Sequence, residues 1–163
     1  MTNTYTGVFR SQILTPQKAA IYNQEHVIVP DHIRLISSNT FSRKSKIKRV
    51  TFPETLLAIH TRAFKSCFSL EEICLPDSID FLGKEVFSYC PKLQKVTISR
   101  NLSAIPNDAF LEDRKLNQVL FPENSNLTAI GESAFCQCTS LSDISLPSTV
   151  EEIRFRAFTA ANP

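Results

Sequence analysis

Phenylalanine recurs along this chain at a nearly constant spacing, and that feature restricts the fold more than any other. The steps between successive members are 23, 23, 23, 25 and 23 residues, along the column Phe41, Phe64, Phe87, Phe110, Phe135 and Phe158. A second column in the same register is aliphatic and comprises Ile36, Ile59, Leu82, Ile105, Ile130 and Ile153. A third holds proline, with serine once, as Pro30, Pro53, Pro76, Ser99, Pro122 and Pro147. Self-similarity at a period of about 20 to 50 residues is typical of repeat architectures.

Six repeat units follow when the chain is cut before the first apolar position of each strand pattern. Their ranges are 24–46, 47–69, 70–92, 93–115, 116–140 and 141–163. The fifth is longer by two residues near Asn124 to Asn126, and the consensus is L-x-x-I-x-L-P-x-x-Φ-x-x-I-x-x-x-A-F-x-x-C-x-x. The alternation in L-x-x-I-x-L predicts a strand with one apolar side, which is buried only when successive units stack. We predict that the phenylalanine column forms the spine of that core.

These repeats closely resemble the BspA-like leucine-rich repeats, the class with a 23-residue period and the L-P and A-F-x-x-C signatures, across residues 24–163. The resemblance implies a right-handed, strand-rich leucine-rich-repeat solenoid of the α/β type. A parallel sheet of about six strands would form its concave side, with short strands or 3₁₀ turns on the other sides. The resemblance also implies protein binding rather than chemistry, because the relatives are mostly surface adhesins and host-interaction proteins of bacteria and anaerobic protists.

The repeat register predicts which side chains face outward from the concave sheet. We expect a partner to contact Arg49, Thr51, Glu72, Cys74, Lys95, Thr97, Gln118, Leu120, Asp143 and Ser145. Along one row of this surface, Arg49, Glu72 and Lys95 alternate in charge. The alternation fits two interpretations, stabilisation of neighbouring strands by opposite charges and a mixed-charge recognition stripe, and the two are compatible.

The sequence therefore favours a non-catalytic protein-protein interaction module that binds its partner through the concave sheet. The alternative is a cell-surface adhesin or antigen that contacts host or matrix proteins, which an upstream export signal or glycans at Asn101 or Asn126 would favour. We predict no enzyme activity, no catalytic residue, no metal and no cofactor. His26, His32 and His60 share no spacing with a nucleophile or a carboxylate pair, and no phosphate-loop, dinucleotide-binding or zinc-protease motif occurs.

Charge and hydropathy argue against two further classes of partner. The formal net charge is only +2, so we predict no nucleic-acid partner. We interpret the basic run over 43–49 as a solvated turn that enters a strand, with a nuclear-import or phosphate-binding patch as the alternative. The longest apolar runs, such as 27–29, fall far short of the roughly 20 residues that a spanning helix needs, so we expect no membrane insertion.

Cysteine usage bears on the compartment. Five cysteines, an odd number, argue against a closed disulfide framework and favour a reducing compartment. Since the chain shows neither a signal sequence nor a transmembrane segment, the sequence alone favours the cytoplasm, whereas the family resemblance favours the cell surface. Cys67 and Cys90 occupy equivalent positions in adjacent units, and we interpret them as small buried apolar side chains rather than as a disulfide. Cys74 is the thiol expected on the concave face.

The two ends of the array differ from its middle. Residues 1–23 lie outside the repeat register, and their pattern predicts a short helix from Pro16 to Tyr22 that caps the first unit. The last unit, 141–163, has no polar cap, so apolar side chains such as Phe158 would be uncovered. We expect either a truncated array or end-to-end association with another copy or a partner through that edge.

Overall fold

The computed structural model describes residues 7–161 and consists of short parallel strands joined by turns. The three-residue strands are β2 (His26–Ile28), β4 (Arg49–Thr51), β6 (Glu72–Cys74), β8 (Lys95–Thr97) and β10 (Gln118–Leu120). The two-residue strands are β1 (Ile13–Leu14), β3 (Leu35–Ile36), β5 (Ala58–Ile59), β7 (Phe81–Leu82), β9 (Ala104–Ile105), β11 (Ala129–Ile130) and β12 (Glu152–Ile153). Two 3₁₀ helices, Arg10–Gln12 and Lys18–Ile21, precede the first of the three-residue strands. The predicted strand-rich solenoid is confirmed.

The three-residue strands form one parallel sheet in the order β2-β4-β6-β8-β10, which we call the front sheet. The middle residue of each strand is buried, and four of the five are valine, whose β-branched side chain suits a strand. Register follows the repeat, since Val27 pairs with Val50 and Ile73 pairs with Val96. The sheet has five strands where about six are predicted, because residues 141–147 form no paired strand.

The two-residue strands form the back of the solenoid as two separate sheets, β1-β3-β5-β7 and β9-β11-β12. Within each sheet, the residue after a strand donates its N–H to the carbonyl of the last residue of the strand one unit earlier. Gly83 donates to the Ile59 carbonyl, and Gly131 to the Ile105 carbonyl, both at 2.8 Å. Pro106 occupies the same position after β9 and has no N–H to donate. The back of the solenoid is therefore interrupted between β7 and β9.

A continuous stack of phenylalanine rings fills the core between the two faces. From Phe41 to Phe158, neighbouring ring centroids lie 4.9 to 5.6 Å apart, with interplanar angles of 9 to 23°. All members before Phe158 are fully buried. Each ring thus packs on the ring one unit earlier and one unit later, which is the spine that the repeat pattern predicts.

The turns that carry these phenylalanines are joined by a second set of hydrogen bonds, which we call the turn ladder. In the first turn, the amides of Asn39, Phe41 and Arg43 donate to carbonyls of the next turn at 2.7 to 3.1 Å, and each turn up to the fifth repeats this pattern. The first and third residues of each trio, and of the equivalent trio in the sixth turn, have a left-handed backbone with φ of 54 to 64°. They are Asn39, Arg43, Arg62, Ser66, Glu85, Tyr89, Asp108, Glu112, Ser133, Gln137, Arg156 and Ala160. Such a conformation costs a non-glycine residue about 1–2 kcal/mol, which the ladder helps to offset.

The segment before the first repeat covers the N-terminal end of the core. Strand β1 pairs with β3, and Leu14 and Ala19 are buried. The Tyr22 ring lies 5.9 Å from the ring of Phe41 and so covers the first member of the stack. The predicted helix is shorter than expected and of the 3₁₀ type, because the Tyr22 amide donates to the carbonyl of Ala19, three residues earlier, at 3.1 Å.

The opposite edge of the described chain is open. Ile153 and Phe155 expose 53% and 69% of their surface, and Phe158 packs on the stack with one face only. The amides of Arg156, Phe158 and Ala160, which continue the donor positions of the turn ladder, find no acceptor within residues 7–161. Apolar surface and unused backbone donors therefore coincide at this edge.

Candidate functional site

Two rows of side chains point outward from the front sheet, one on each side of the buried middle residue. Strand pairing aligns the first row as His26, Arg49, Glu72, Lys95 and Gln118, and the second as Ile28, Thr51, Cys74, Thr97 and Leu120. Most of these side chains are exposed, and Glu72, Lys95 and Thr97 are half-buried. Since adjacent strands lie about 4.8 Å apart, the rows define a surface about 20 Å long.

The structure brings most of the predicted contact residues together on this surface. They are Arg49, Thr51, Glu72, Cys74, Lys95, Thr97, Gln118 and Leu120. Asp143 and Ser145 are exposed but do not continue the rows, which corrects their predicted placement on the sheet. A groove separates residues 145–149 from the loop 121–125, where the fifth unit carries its extra residues. The longer loop of the fifth unit therefore borders the sixth-unit residues that form no paired strand.

The predicted contact set omitted the first strand of the sheet, although its register was readable from the sequence. His26 pairs with Arg49 and Ile28 with Thr51, so both belong to the rows. Ile28 exposes 63% of its surface, and Leu120 at the other end of the same row exposes 38%. The surface therefore has an apolar side chain at each end and polar side chains between them.

Only part of the alternating charge row is paired. The ammonium nitrogen of Lys95 lies 3.7 Å from a carboxylate oxygen of Glu72. The Arg49 guanidinium makes no ion pair and no side-chain hydrogen bond to residues 7–161, although it lies beside Glu72 in the sheet register. Glu72 and Lys95 thus form an ion pair between adjacent strands, and Arg49 has no equivalent partner among residues 7–161.

Arg49 lies where two shallow depressions in the front surface meet. One has a volume of 250 Å³ and is lined by Glu25, His26, Lys48, Arg49 and Glu71. The other has a volume of 320 Å³ and is lined by His26, Arg49, Val50, Thr51, Glu72 and Cys74. In the first, the Lys48 ammonium bonds the Glu25 carboxylate at 2.8 Å, which raises the pKa of Lys48. In the second, His26 Nε2 hydrogen-bonds the Thr51 hydroxyl at 2.8 Å. Lys48, Glu25, His26 and Thr51 are thus engaged with one another, whereas the Arg49 side chain has no such partner in the described part of the chain.

The buried cysteines have a structural role in the turns. The thiols of Cys67, Cys90 and Cys138 donate to the carbonyls of phenylalanines in the preceding unit, at 3.1 to 3.3 Å. All five cysteines are free, and burial raises the pKa of Cys90 and Cys138. A raised pKa keeps a thiol protonated and so unreactive as a nucleophile. Cys74 is exposed on the front sheet.

Groups that could carry out chemistry are dispersed. Within residues 7–161, no three side chains of His, Cys, Asp or Glu are arranged to hold a metal ion. His26 lies on the front sheet, whereas His60 follows β5 on the back, where burial lowers its pKa. None of the helices in the described part of the chain has the length and hydropathy needed to cross a bilayer.

Solved structures of leucine-rich-repeat proteins resemble this chain. A leucine rich cell surface protein from Faecalibacterium prausnitzii A2-165 is 32% identical, with a TM-score of 0.73 over 83% of this chain and 36% of that one. A leucine-rich repeat protein from Eubacterium ventriosum ATCC 27560 is 22% identical, with a TM-score of 0.63 over 85% of this chain and 43% of that one. The T. pallidum leucine rich repeat protein is 23% identical, with a TM-score of 0.56 over 73% of this chain and 65% of that one.

The chain spans less than half the length of the first two of these proteins. The sequence matches no curated protein. The sequence profile described as the BspA type leucine rich repeat region matches in six copies, over residues 19–127 and 115–162. The six matched copies, the stacked parallel strands and the shared sequence columns all indicate the same repeat fold. The chain therefore belongs to the BspA-type leucine-rich-repeat family.

Proposed function

We propose that this chain is a non-catalytic protein interaction module and that it binds its partner through the front sheet. The observation that carries the proposal is the pair of outward rows, which no other part of residues 7–161 covers. Membership of a leucine-rich-repeat family supports it, because solenoids of this kind use extended sheet surfaces for recognition. A surface of this size fits an interface of up to about 800 Å² on each partner.

The chemistry of the two rows defines the partner that would fit. Ile28 and Leu120 offer apolar contacts at the two ends of the second row. Arg49 offers a guanidinium that can receive a carboxylate through two parallel hydrogen bonds. We therefore propose a partner surface with apolar side chains about 20 Å apart and an acidic side chain between them, nearer to Ile28.

Proximity labelling in the native cells, with the intact protein as bait, tests this function. The bait is compared with a variant in which Arg49, Glu72 and Lys95 are all alanine. We expect discrete labelled proteins to be lost in the variant, because its front row has lost the charged contacts. Fold stability should change by less than about 1 kcal/mol, since the single pair removed is at the surface.

The matched control carries the same number of charge changes away from the front sheet. Arg114, Lys115 and Glu132 are all exposed and lie outside the two rows, so their triple alanine variant should label the same proteins as the unaltered chain. If the front-sheet variant also labels an unchanged set, the front sheet is not the binding surface and the proposal fails.

A cell-surface adhesin is the second candidate function. The neighbour from Faecalibacterium prausnitzii that is 32% identical is described as a leucine rich cell surface protein, which favours this candidate. The same labelling experiment separates the two, because extracellular host or matrix proteins among the labelled set would indicate adhesion. Cytosolic proteins alone would indicate an internal interaction module.

We also propose that copies of the chain associate end to end through the open edge of the sixth turn. Exposed Ile153 and Phe155 and the unused amides next to them support this proposal. Sedimentation velocity at rising protein concentration should show species larger than the monomer, and Phe155→Ser should reduce them. Phe68→Ser, which alters an exposed phenylalanine in mid-array, should leave them unchanged. A monomer at every concentration would rule the association out.

A further inference from the structure

A basic groove lies on the turn side of the solenoid, outside the two rows of the front sheet. It is lined by Asn39, Ser42, Arg43, Arg62, Lys65 and Ser66, and we call it the turn groove. Its lining comes from the first two turns, which the turn ladder joins through bonds such as Arg43 N–H to the Lys65 carbonyl at 2.8 Å. Its volume, 460 Å³, exceeds that of either depression beside Arg49.

A nearly buried carboxylate holds two of the three cations in place. Glu85, from the third turn, is only 8% exposed, and its Oε1 accepts hydrogen bonds from Arg62 Nε at 2.9 Å and Nη2 at 2.6 Å. Its other oxygen accepts from the Lys65 ammonium. The Arg62 hydrogen bonds, with the charge of Lys65, lower the pKa of Glu85 and keep it ionised. The pair of cations is therefore oriented before any ligand binds.

The third cation, Arg43, differs from the other two. Arg43 is exposed, and its guanidinium makes no ion pair and no side-chain hydrogen bond to residues 7–161. Its backbone is fixed by the turn ladder, so the side chain starts from a defined point at the groove wall. Three cations against one carboxylate leave the groove with excess positive charge, and the Asn39 amide and Ser66 hydroxyl add uncharged donors.

The groove lacks the backbone donors that would mark a site for a single compact anion. The amides of Asn39, Arg43, Arg62 and Ser66 all donate to carbonyls of the following turn, and that of Lys65 donates to the Arg62 carbonyl. Sites for one phosphate use such amides as a nest. Here recognition depends on side chains spread across two turns, which suits a ligand whose negative charges are also spread out.

We infer that the turn groove binds a sulfated polysaccharide. Sulfate groups spaced along a sugar chain match cations on adjacent turns, and the amide and hydroxyl side chains match sugar hydroxyls. Single-stranded nucleic acid fits less well, because its binding sites use open aromatic platforms. No aromatic side chain lines the groove itself, and the neighbouring Tyr89 ring has the Lys65 ammonium over it, 5.2 Å from the ring centroid. The basic character is also local, since Glu85 and Asp108 occupy the position of Arg62 in the third and fourth turns.

Isothermal titration with a size-defined heparin oligosaccharide tests this assignment. We expect saturable binding that weakens as salt is added, and Arg43→Ala should reduce the affinity about tenfold by removing a charged hydrogen-bond donor. Arg43 is the suitable residue to change because its side chain has no hydrogen-bond or ion-pair partner in the part of the chain that the structure describes. Arg156→Ala is the matched control, since Arg156 is also exposed and also has positive φ, at 58°. It should change the affinity less than twofold.

Further arms of the same experiment decide the ligand class. A desulfated oligosaccharide of equal length should not bind, and the front-sheet triple variant should bind heparin as the unaltered chain does. The assignment is overturned if heparin does not bind, if the desulfated oligosaccharide binds equally, or if Arg156→Ala weakens binding as much as Arg43→Ala. It is also overturned if a phosphopeptide or a single-stranded RNA binds more tightly than heparin at equal salt.

Discussion

Replacing Phe87 by alanine is expected to lower the free energy of unfolding by about 3–5 kcal/mol, the cost of removing a large aromatic side chain from a packed core. Phe87 is fully buried, and its ring lies 5.4 Å from that of Phe64 and 5.6 Å from that of Phe110. Its removal would create a gap in the middle of the stack. Because each turn contacts only its neighbours, the two halves of the array would lose much of their coupling.

Urea unfolding followed by circular dichroism measures this loss. Phe9→Ala is the matched control, since Phe9 is 72% exposed and lies outside the phenylalanine stack. That substitution should change the free energy of unfolding by less than about 1 kcal/mol. Equal effects of the two substitutions would show that the phenylalanine stack is not the main stabilising feature of the core.

Replacing Asp113 by asparagine is expected to stabilise the protein at neutral pH by about 1–3 kcal/mol, the cost of an unsatisfied buried polar group. Asp113 stands where three other units have cysteine and is fully buried. Its Oδ1 accepts the Cys90 N–H at 2.7 Å, and its Oδ2 has no hydrogen-bond partner within the described chain. In the cysteine units, the thiol donates to a phenylalanine carbonyl of the preceding turn, and the equivalent carbonyl here is that of Phe87. An asparagine amide at this position could donate to it.

The stabilisation should depend on pH in a defined direction. Burial raises the pKa of Asp113 well above its usual range, although the hydrogen bond from Cys90 opposes the shift. Below the unfolded pKa of about 3.9, both states hold the proton and the carboxyl has no linked penalty. As pH rises above that value, the unfolded chain releases its proton while the folded chain keeps it, so the contribution of Asp113 to stability falls until the folded pKa is passed. The advantage of Asp113→Asn should therefore be largest at neutral pH and shrink towards about pH 4.

Denaturant unfolding of the two proteins across this pH range checks the prediction. Asp113→Cys restores the usual residue of the column and should also stabilise at neutral pH. Asp143→Asn is the control for a carboxylate in an exposed position and should show no comparable pH dependence. An Asp113→Asn variant that is less stable than the original protein at pH 7 would show that the ionised carboxylate is satisfied in the fold.

Column-by-column comparison of the repeats predicted the parts of this structure that depend on equivalent positions in successive turns. The phenylalanine stack, the buried strand centres and the exposed Cys74 are all of this kind. The same comparison placed Arg49, Glu72 and Lys95 on neighbouring strands, as the structure has them. The comparison predicted which residues are neighbours along each row, because a constant period makes each repeat unit structurally equivalent to the one before it.

Features that break the period were not predicted. Pro106 interrupts the back of the solenoid through one missing N–H, a signal that the sequence contains but that periodicity analysis averages out. Asp143 and Ser145 lie outside the paired front sheet, in the unit that follows the longer loop, and comparison of columns does not show which units pair. Arg62 and Glu85 occupy equivalent positions of adjacent turns, whereas Lys65 joins them from another column, so comparison within single columns does not reveal the three-residue cluster.

The turn ladder gives the array a polarity, because its N–H groups all donate from one turn to the next. The amides of Arg156, Phe158 and Ala160 in the sixth turn therefore have no acceptor within the described residues, 7–161. The first turn carries the carbonyls of Ser38, Thr40 and Ser42 at the equivalent acceptor positions. Two copies that met by their sixth turns would set donor against donor, so a two-fold symmetric dimer cannot form through this ladder. Any joining that uses it must run head to tail, and such contacts produce closed rings or open filaments rather than pairs.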